Sequence, residues 1–230
     1  MSWTDKKAMQ TINKLRDEFG IRFFVETGTF CGINALVQSK NFEYILTCEK
    51  EQKYLDIAAP KLDKAYNVYL YKAHSPVFLK EIKDNKIIKT PEMLFVYLDA
   101  HFYDPSLPKD KRFVVIDELK ALTNMTNCII CIHDFDNKEL GHITYDDIPL
   151  DFDLLKHYLF DVNPNFKYYT NYKEACEIYN EATIKELIDD KDADGNIKYA
   201  NSSDEKRFRG ILYCVPKELD LSKYELRELK

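Results

Sequence analysis

The ten residues Phe23-Phe24-Val25-Glu26-Thr27-Gly28-Thr29-Phe30-Cys31-Gly32 run from an apolar stretch into a carboxylate and then into two glycines four apart. Ile33 to Gln38 follows at once and continues as a helix. A strand, an acidic tip, a glycine turn and a helix together form a ligand cradle in an open α/β sheet. A dinucleotide fingerprint puts its first glycine where Glu26 stands, because a pyrophosphate needs bare backbone there. A carboxylate at that position repels phosphate, so the cradle suits a ligand without phosphates that carries positive charge.

The rest of the chain repeats the alternation. Residues 4 to 19 have Met9, Ile12, Leu15 and Phe19 at helical spacing, with Thr4 as a cap and Gly20 as the stop. Strands are expected at Ile21 to Val25, Phe42 to Cys48, Val68 to Tyr71, Met93 to Leu98 and Cys128 to Ile132. Helices are expected at 50 to 65, from Pro76 to Ile82, and from Lys111 to Leu122. The fold class is therefore α/β: a Rossmann-like, doubly wound, mostly parallel sheet with helices on both faces, in three layers.

Past residue 150 the pattern weakens. Phe152 to Leu159 reads as a helix, Lys167 to Asn171 as a strand, and Gly210 to Pro216 as a final strand. Ile184 to Ser203 is charged and turn-rich, and reads as an exposed insertion. The 230 residues suit one domain.

Charge and cysteine usage narrow the function. A net charge of −6 and a pI near 5.5 argue against a broad nucleic-acid grip. Neither an Asn/Asp-Pro-Pro-Tyr motif nor a Pro-Cys nucleophile for base methylation occurs. No run reaches the roughly 20 apolar residues of a membrane span, and the first residues lack a signal-peptide core. Six cysteines in a chain of this length are not a disulfide scaffold, so the cytoplasm is the expected compartment. Cys128 and Cys131 have metal-pair spacing, yet residues three apart on a strand face opposite ways, and both are read as core. Asp190 to Gly195 copies the front of a calcium loop, but Asn201 stands where the bidentate glutamate belongs; a hairpin at Asp194-Gly195 accounts for it better.

Four acids fall at the carboxyl ends of expected strands, where ligands bind in such sheets: Glu26, Glu49, Asp99 and Asp134. Glu49 lies 21 positions after Gly28, where an acid accepts the hydrogen bonds of a ribose diol. His101 and His133 accompany the last two acids and titrate near neutrality, which makes them candidate general bases.

Glu26-Thr27-Gly28-Thr29-x-x-Gly32, Glu49, Leu98-Asp99-Ala100-His101 and His133-Asp134 together resemble the class I S-adenosylmethionine-dependent methyltransferases over roughly residues 20 to 136. The resemblance implies S-adenosylmethionine as cofactor, with Glu26, Thr27, Gly28 and Gly32 at its methionine end and Glu49 on its ribose. Ser75, after the third strand, stands where the family often has an acid near the adenine. Asp99 is expected to touch both cofactor and acceptor. Asp99 and Asp134 match positions that hold a divalent cation in catechol- and caffeoyl-type O-methyltransferases, which implies Mg²⁺. Two departures stand out. Phe30 replaces a family glycine, and Phe135 replaces the asparagine that usually follows the second aspartate, with Asn137 two further on.

The expected activity is methyl transfer to an oxygen of a small molecule or glycan, with Asp99, His101 and His133 as the catalytic set. Nucleic acid is not an expected partner, and a homo-oligomer is compatible with the sequence. The alternatives are a Rossmann-type enzyme acting on a nucleotide or nucleotide-sugar, and a non-catalytic binding module that keeps the fold.

Overall fold

The computed structural model describes residues 6–89, 92–100, 104–108, 111–138, 148–171 and 210–230. In chain order these form α1 (Lys6–Phe19), β1 (Phe23–Thr27), α2 (Ile33–Gln38), β2 (Tyr44–Glu49), α3 (Gln52–Leu62), β3 (Val68–Lys72) and α4 (Ser75–Lys83). They continue with β4 (Leu94–Leu98), α5 (Val114–Ala121), β5 (Cys128–Phe135), α6 (Phe152–Val162), β6 (Phe166–Thr170), β7 (Gly210–Pro216) and β8 (Arg227–Leu229).

The strands lie in the order β3-β2-β1-β4-β5-β7-β6-β8. The first five pair in parallel, while β7 runs antiparallel to both β5 and β6, and β8 antiparallel to β6. Strand order reverses between β1 and β4, and the carboxyl edge at such a switch point is where open sheets bind ligands.

Alternate strand residues feed two cores. Val25, Leu46, Val96, Leu98 and Ile130 pack under α4, α5 and α6. Phe24, Ile45, Phe95, Tyr97 and Ile129 pack against α1, α2 and α3. The fold is the three-layer α/β sheet expected from the sequence. Cys128 falls in the first core and Cys131 in the second, as strand alternation requires. Burial alone pushes the Cys128 thiol up to about 12, as befits a core cysteine.

Several boundaries move. β1 begins two residues later than its apolar run suggests and carries Glu26 and Thr27 inside the ladder, because both find register partners on β2 and β4. β5 runs on to Phe135, so His133 and Asp134 are strand residues. β8 was not expected. Among the described residues no helix is long and apolar enough to cross a membrane. Thr4, His101 and the segment holding Ile184 to Ser203 lie outside the described residues, so those expectations are not addressed by the fold.

Candidate active site

The glycines of the cradle are there for reasons of space. Gly28 has φ +78°, and a Cβ added to it would stand 2.7 Å from the Ala100 Cα and 2.8 Å from the Asp99 carbonyl oxygen. The turn after β1 therefore presses bare backbone against the turn after β4. The Asp99 backbone N–H donates to the Thr27 hydroxyl at 3.2 Å and ties the same two strand ends together. Gly32, at φ +79°, precedes α2 where a side chain would crowd Ala58 and Leu62 of α3. Phe30 takes φ +50°, the left-handed backbone that a glycine adopts freely and a phenylalanine does not. Its ring packs on Tyr54 with centroids 4.6 Å apart.

Glu26 is 2% exposed and held at both oxygens. Asn34, in the first turn of α2, donates to Oε1 at 2.7 Å, and Thr47, its register partner on β2, donates to Oε2 at 2.7 Å. Thr29 and Thr47 share a hydroxyl–hydroxyl contact of 2.6 Å. Burial, the largest influence, drives the Glu26 carboxyl up to about 8. The Thr47 and Asn34 hydrogen bonds oppose it, and the charges of Asp99 and Glu49 reinforce it. Sequence reasoning quoted Thr29 in the motif without giving it a partner, and missed Asn34 and Thr47. Only the β1–β2 register, which pairs Glu26 with Thr47, could have identified one of them.

Glu49 closes β2 and is committed to backbone. Its Oε1 accepts from the N–H groups of Lys50 and Glu51 at 2.9 and 3.0 Å, and its Oε2 from that of Phe30 at 2.9 Å. A carboxylate offers about four acceptor directions, so roughly one remains for an incoming hydroxyl. Glu49 also borders an open cleft of about 50 Å³ with Gly28, Lys50, His74, Ser75 and Val114. Ser75, 6% exposed, begins α4 at the rim of that cleft. Lys50 and Val114 had not been expected there.

Across the switch point, Asp99 follows β4 while His133 and Asp134 end β5. The His133 Nδ1 lies 3.2 Å from an Asp99 oxygen and 3.3 Å from an Asp134 oxygen, which are ion-pair distances. Side-chain exposure is 1% for His133 and Asp134 and 13% for Asp99. Burial disfavours an imidazolium, yet the charges of Asp134 and then Asp99 outweigh it and raise His133 to about 9. One donor atom from each of the three residues lies within 4.8 Å of the others, a set that could hold a metal ion. The Asn137 side-chain amide donates to the Asn171 carbonyl at 2.6 Å.

No protein-family model and no curated protein matches the sequence. Solved structures do match. An O-methyltransferase from Bacillus cereus in complex with SAH aligns over 92% of this chain and 81% of its own, with a TM-score of 0.53 and 15% identity. The O-methyltransferase TomG from Streptomyces achromogenes, in complex with SAM, aligns over 90% of this chain and 78% of its own, with a TM-score of 0.53 and 14% identity. The methyltransferase domain of bacterial CtHen1-CN covers 93% of this chain and 99% of its own, at a TM-score of 0.51 and 9% identity. Strand order, the glycine turn at the switch point and these alignments agree: the chain has the Rossmann-like fold of the class I S-adenosylmethionine-dependent methyltransferases.

Proposed function

We propose that this chain transfers the methyl group of S-adenosylmethionine to an oxygen of a small molecule or glycan. The observation that carries this reading is the convergence at one switch point of a bare-backbone turn at Gly28, a buried carboxylate at Glu26, the Glu49–Ser75 cleft and the Asp99–His133–Asp134 cluster. Structural neighbours of the same fold, in complex with SAH or SAM, support it.

The roles follow from position. Gly28 and Gly32 leave room for the methionine moiety, Thr27 fixes the two strand ends, and Glu26 faces the ammonium. Glu49 takes one ribose hydroxyl, and Ser75 borders the base. In the reaction the acceptor oxygen forms a bond to the methyl carbon as the sulfonium–carbon bond breaks, which yields S-adenosylhomocysteine and frees the acceptor's proton. Such a displacement needs alignment and a deprotonated nucleophile above all. Asp99, the most open of the three clustered side chains, is the group placed to hold the acceptor hydroxyl and receive that proton. The carboxylates of Asp99 and Asp134 would also hold a divalent cation, which when bound would acidify a hydroxyl beside it.

Calorimetric titration with S-adenosylmethionine tests the reading, with micromolar binding expected and the absence of heat at near-millimolar ligand counting against it. One feature favours a second reading. Lys50 and His74 border the same cleft as Glu49, and a phosphate-bearing nucleotide or nucleotide-sugar would use them. Thermal protection by such nucleotides, with none by S-adenosylmethionine, would decide for that alternative. Cofactor binding without turnover on any acceptor would mark a non-catalytic module.

A further inference from the structure

Consecutive residues of a strand point to opposite faces, so His133 and Asp134 should not share a site. They do because β5 is irregular at that point. Its register with β7 shifts between Ile132 and Phe135, and Asp134 takes φ +57°. Bulges of this kind re-aim side chains beside active sites. The outcome is that Nδ1 of His133 stands 3.3 Å from an Asp134 oxygen and 3.2 Å from an Asp99 oxygen, within a largely buried cluster.

The clustered donors are therefore two carboxylates and an imidazole nitrogen, not carboxylates alone. That difference bears on which ion the site takes. Mg²⁺ favours oxygen ligands and retained waters. Imidazole suits the later first-row dications, whose affinity for nitrogen-containing sites rises from Mn²⁺ toward Cu²⁺ and stays high for Zn²⁺.

We propose that Asp99, His133 and Asp134 form one metal centre in which His133 is a ligand, and that the imidazole makes the centre select a dication of the Co²⁺–Zn²⁺ class over Mg²⁺. The centre would take such an ion in place of the Mg²⁺ that the resemblance implies. The inference shares its location with the proposed methyl-transfer site, but metal binding at these three side chains does not require S-adenosylmethionine.

The test uses Co²⁺, whose visible absorption reports nitrogen and oxygen ligation directly. Titrating the chelator-treated full chain should give a visible band that saturates at one equivalent. A hundredfold excess of Mg²⁺ should leave it in place, and one equivalent of Zn²⁺ should remove it. In His133→Asn the Co²⁺ dissociation constant should rise at least tenfold while Mg²⁺ affinity changes less than threefold; Asp134→Asn should weaken both ions. Absence of the band at millimolar Co²⁺, displacement by equimolar Mg²⁺, or unchanged Co²⁺ affinity in His133→Asn would each overturn the proposal. Circular dichroism verifies the fold of each variant, and if His133→Asn does not fold, His133→Gln replaces it under the same criteria. Calorimetry with S-adenosylmethionine on the same samples separates the two ideas. Co²⁺ binding without cofactor binding removes the methyl-transfer reading alone, and cofactor binding without Co²⁺ removes the metal centre alone.

Discussion

The Asn34 side-chain amide donates to the Glu26 carboxylate at 2.7 Å, and this contact, with Thr47 on the other oxygen, is how the cradle holds a buried acid. Neither partner carries charge. A carboxyl raised by burial to about 8 is mostly neutral at pH 7 in the free protein.

The first prediction concerns pH and stability. Between an ordinary carboxyl value of 4.5 and about 8, the native state holds a proton on Glu26 that the unfolded chain has released. Stability from this group is therefore full below pH 4.5 and falls as pH rises through 8. At about 1.4 kcal/mol per unit, the whole loss approaches 5 kcal/mol as an upper figure. Glu26→Gln should flatten that slope and leave the variant more stable than the parent at pH 9. Urea unfolding across pH 5 to 9 measures it.

The same acid predicts proton-linked cofactor binding. A ligand ammonium next to Glu26 favours the ionised form, so binding should release a proton below pH 8. Affinity for S-adenosylmethionine should rise by up to about tenfold per pH unit and level off near pH 8. Calorimetry in two buffers of different ionisation enthalpy counts the protons. A count of zero at pH 7 would remove Glu26 from contact with the ammonium.

Much of this site was legible in the sequence because strand ends are written locally. An apolar run of five or six residues that stops at an acid states both the strand and the edge it faces. That logic located Glu26, Glu49, Asp99 and Asp134 on one edge before any coordinates. What remained hidden depends on pairing between distant segments. Thr47 meets Glu26 through the β1–β2 register, and the Glu49 carboxylate folds back onto the Phe30 N–H across 19 positions. The bulge that joins His133 to Asp134 arises from β7, some 80 residues later in the chain. A periodicity of two along β5 predicts the opposite arrangement.

Phe30 offers a clean comparison. Phe30→Ala and Phe30→Gly both lose the packing on Tyr54, but only alanine keeps the cost of φ +50°. The glycine variant should be the more stable of the two by about 1 kcal/mol, against the usual order in regular structure. Denaturant midpoints for the pair decide it.

Glu49→Ala removes the acceptor for three backbone N–H groups at once. Loss of stability should be about 2–3 kcal/mol even without ligand, since each N–H left partly buried has its own cost. Weakened cofactor binding in this variant is thus expected from loop disorder as well as from loss of the proposed ribose contact. Glu49→Gln separates them: it retains an acceptor oxygen and should recover part of the stability while still binding the cofactor less tightly.

The last prediction reaches the cluster from outside it. Gly210, at the start of β7, lies against the bulge of β5, and a Cβ there would stand 2.0 Å from the Phe135 carbonyl oxygen. The obstacle is backbone, so no side-chain rotation relieves it. Gly210→Ala must displace β7 or flatten the bulge, and overpacking of this kind costs about 1–3 kcal/mol. If the bulge gives way, Asp134 and His133 return toward opposite faces, and Co²⁺ affinity should fall by tenfold or more although the substituted residue touches no ligand. If β7 moves instead, stability falls and metal affinity holds. Measuring both on one sample tells which strand yields, and whether the shared site depends on the irregularity of β5.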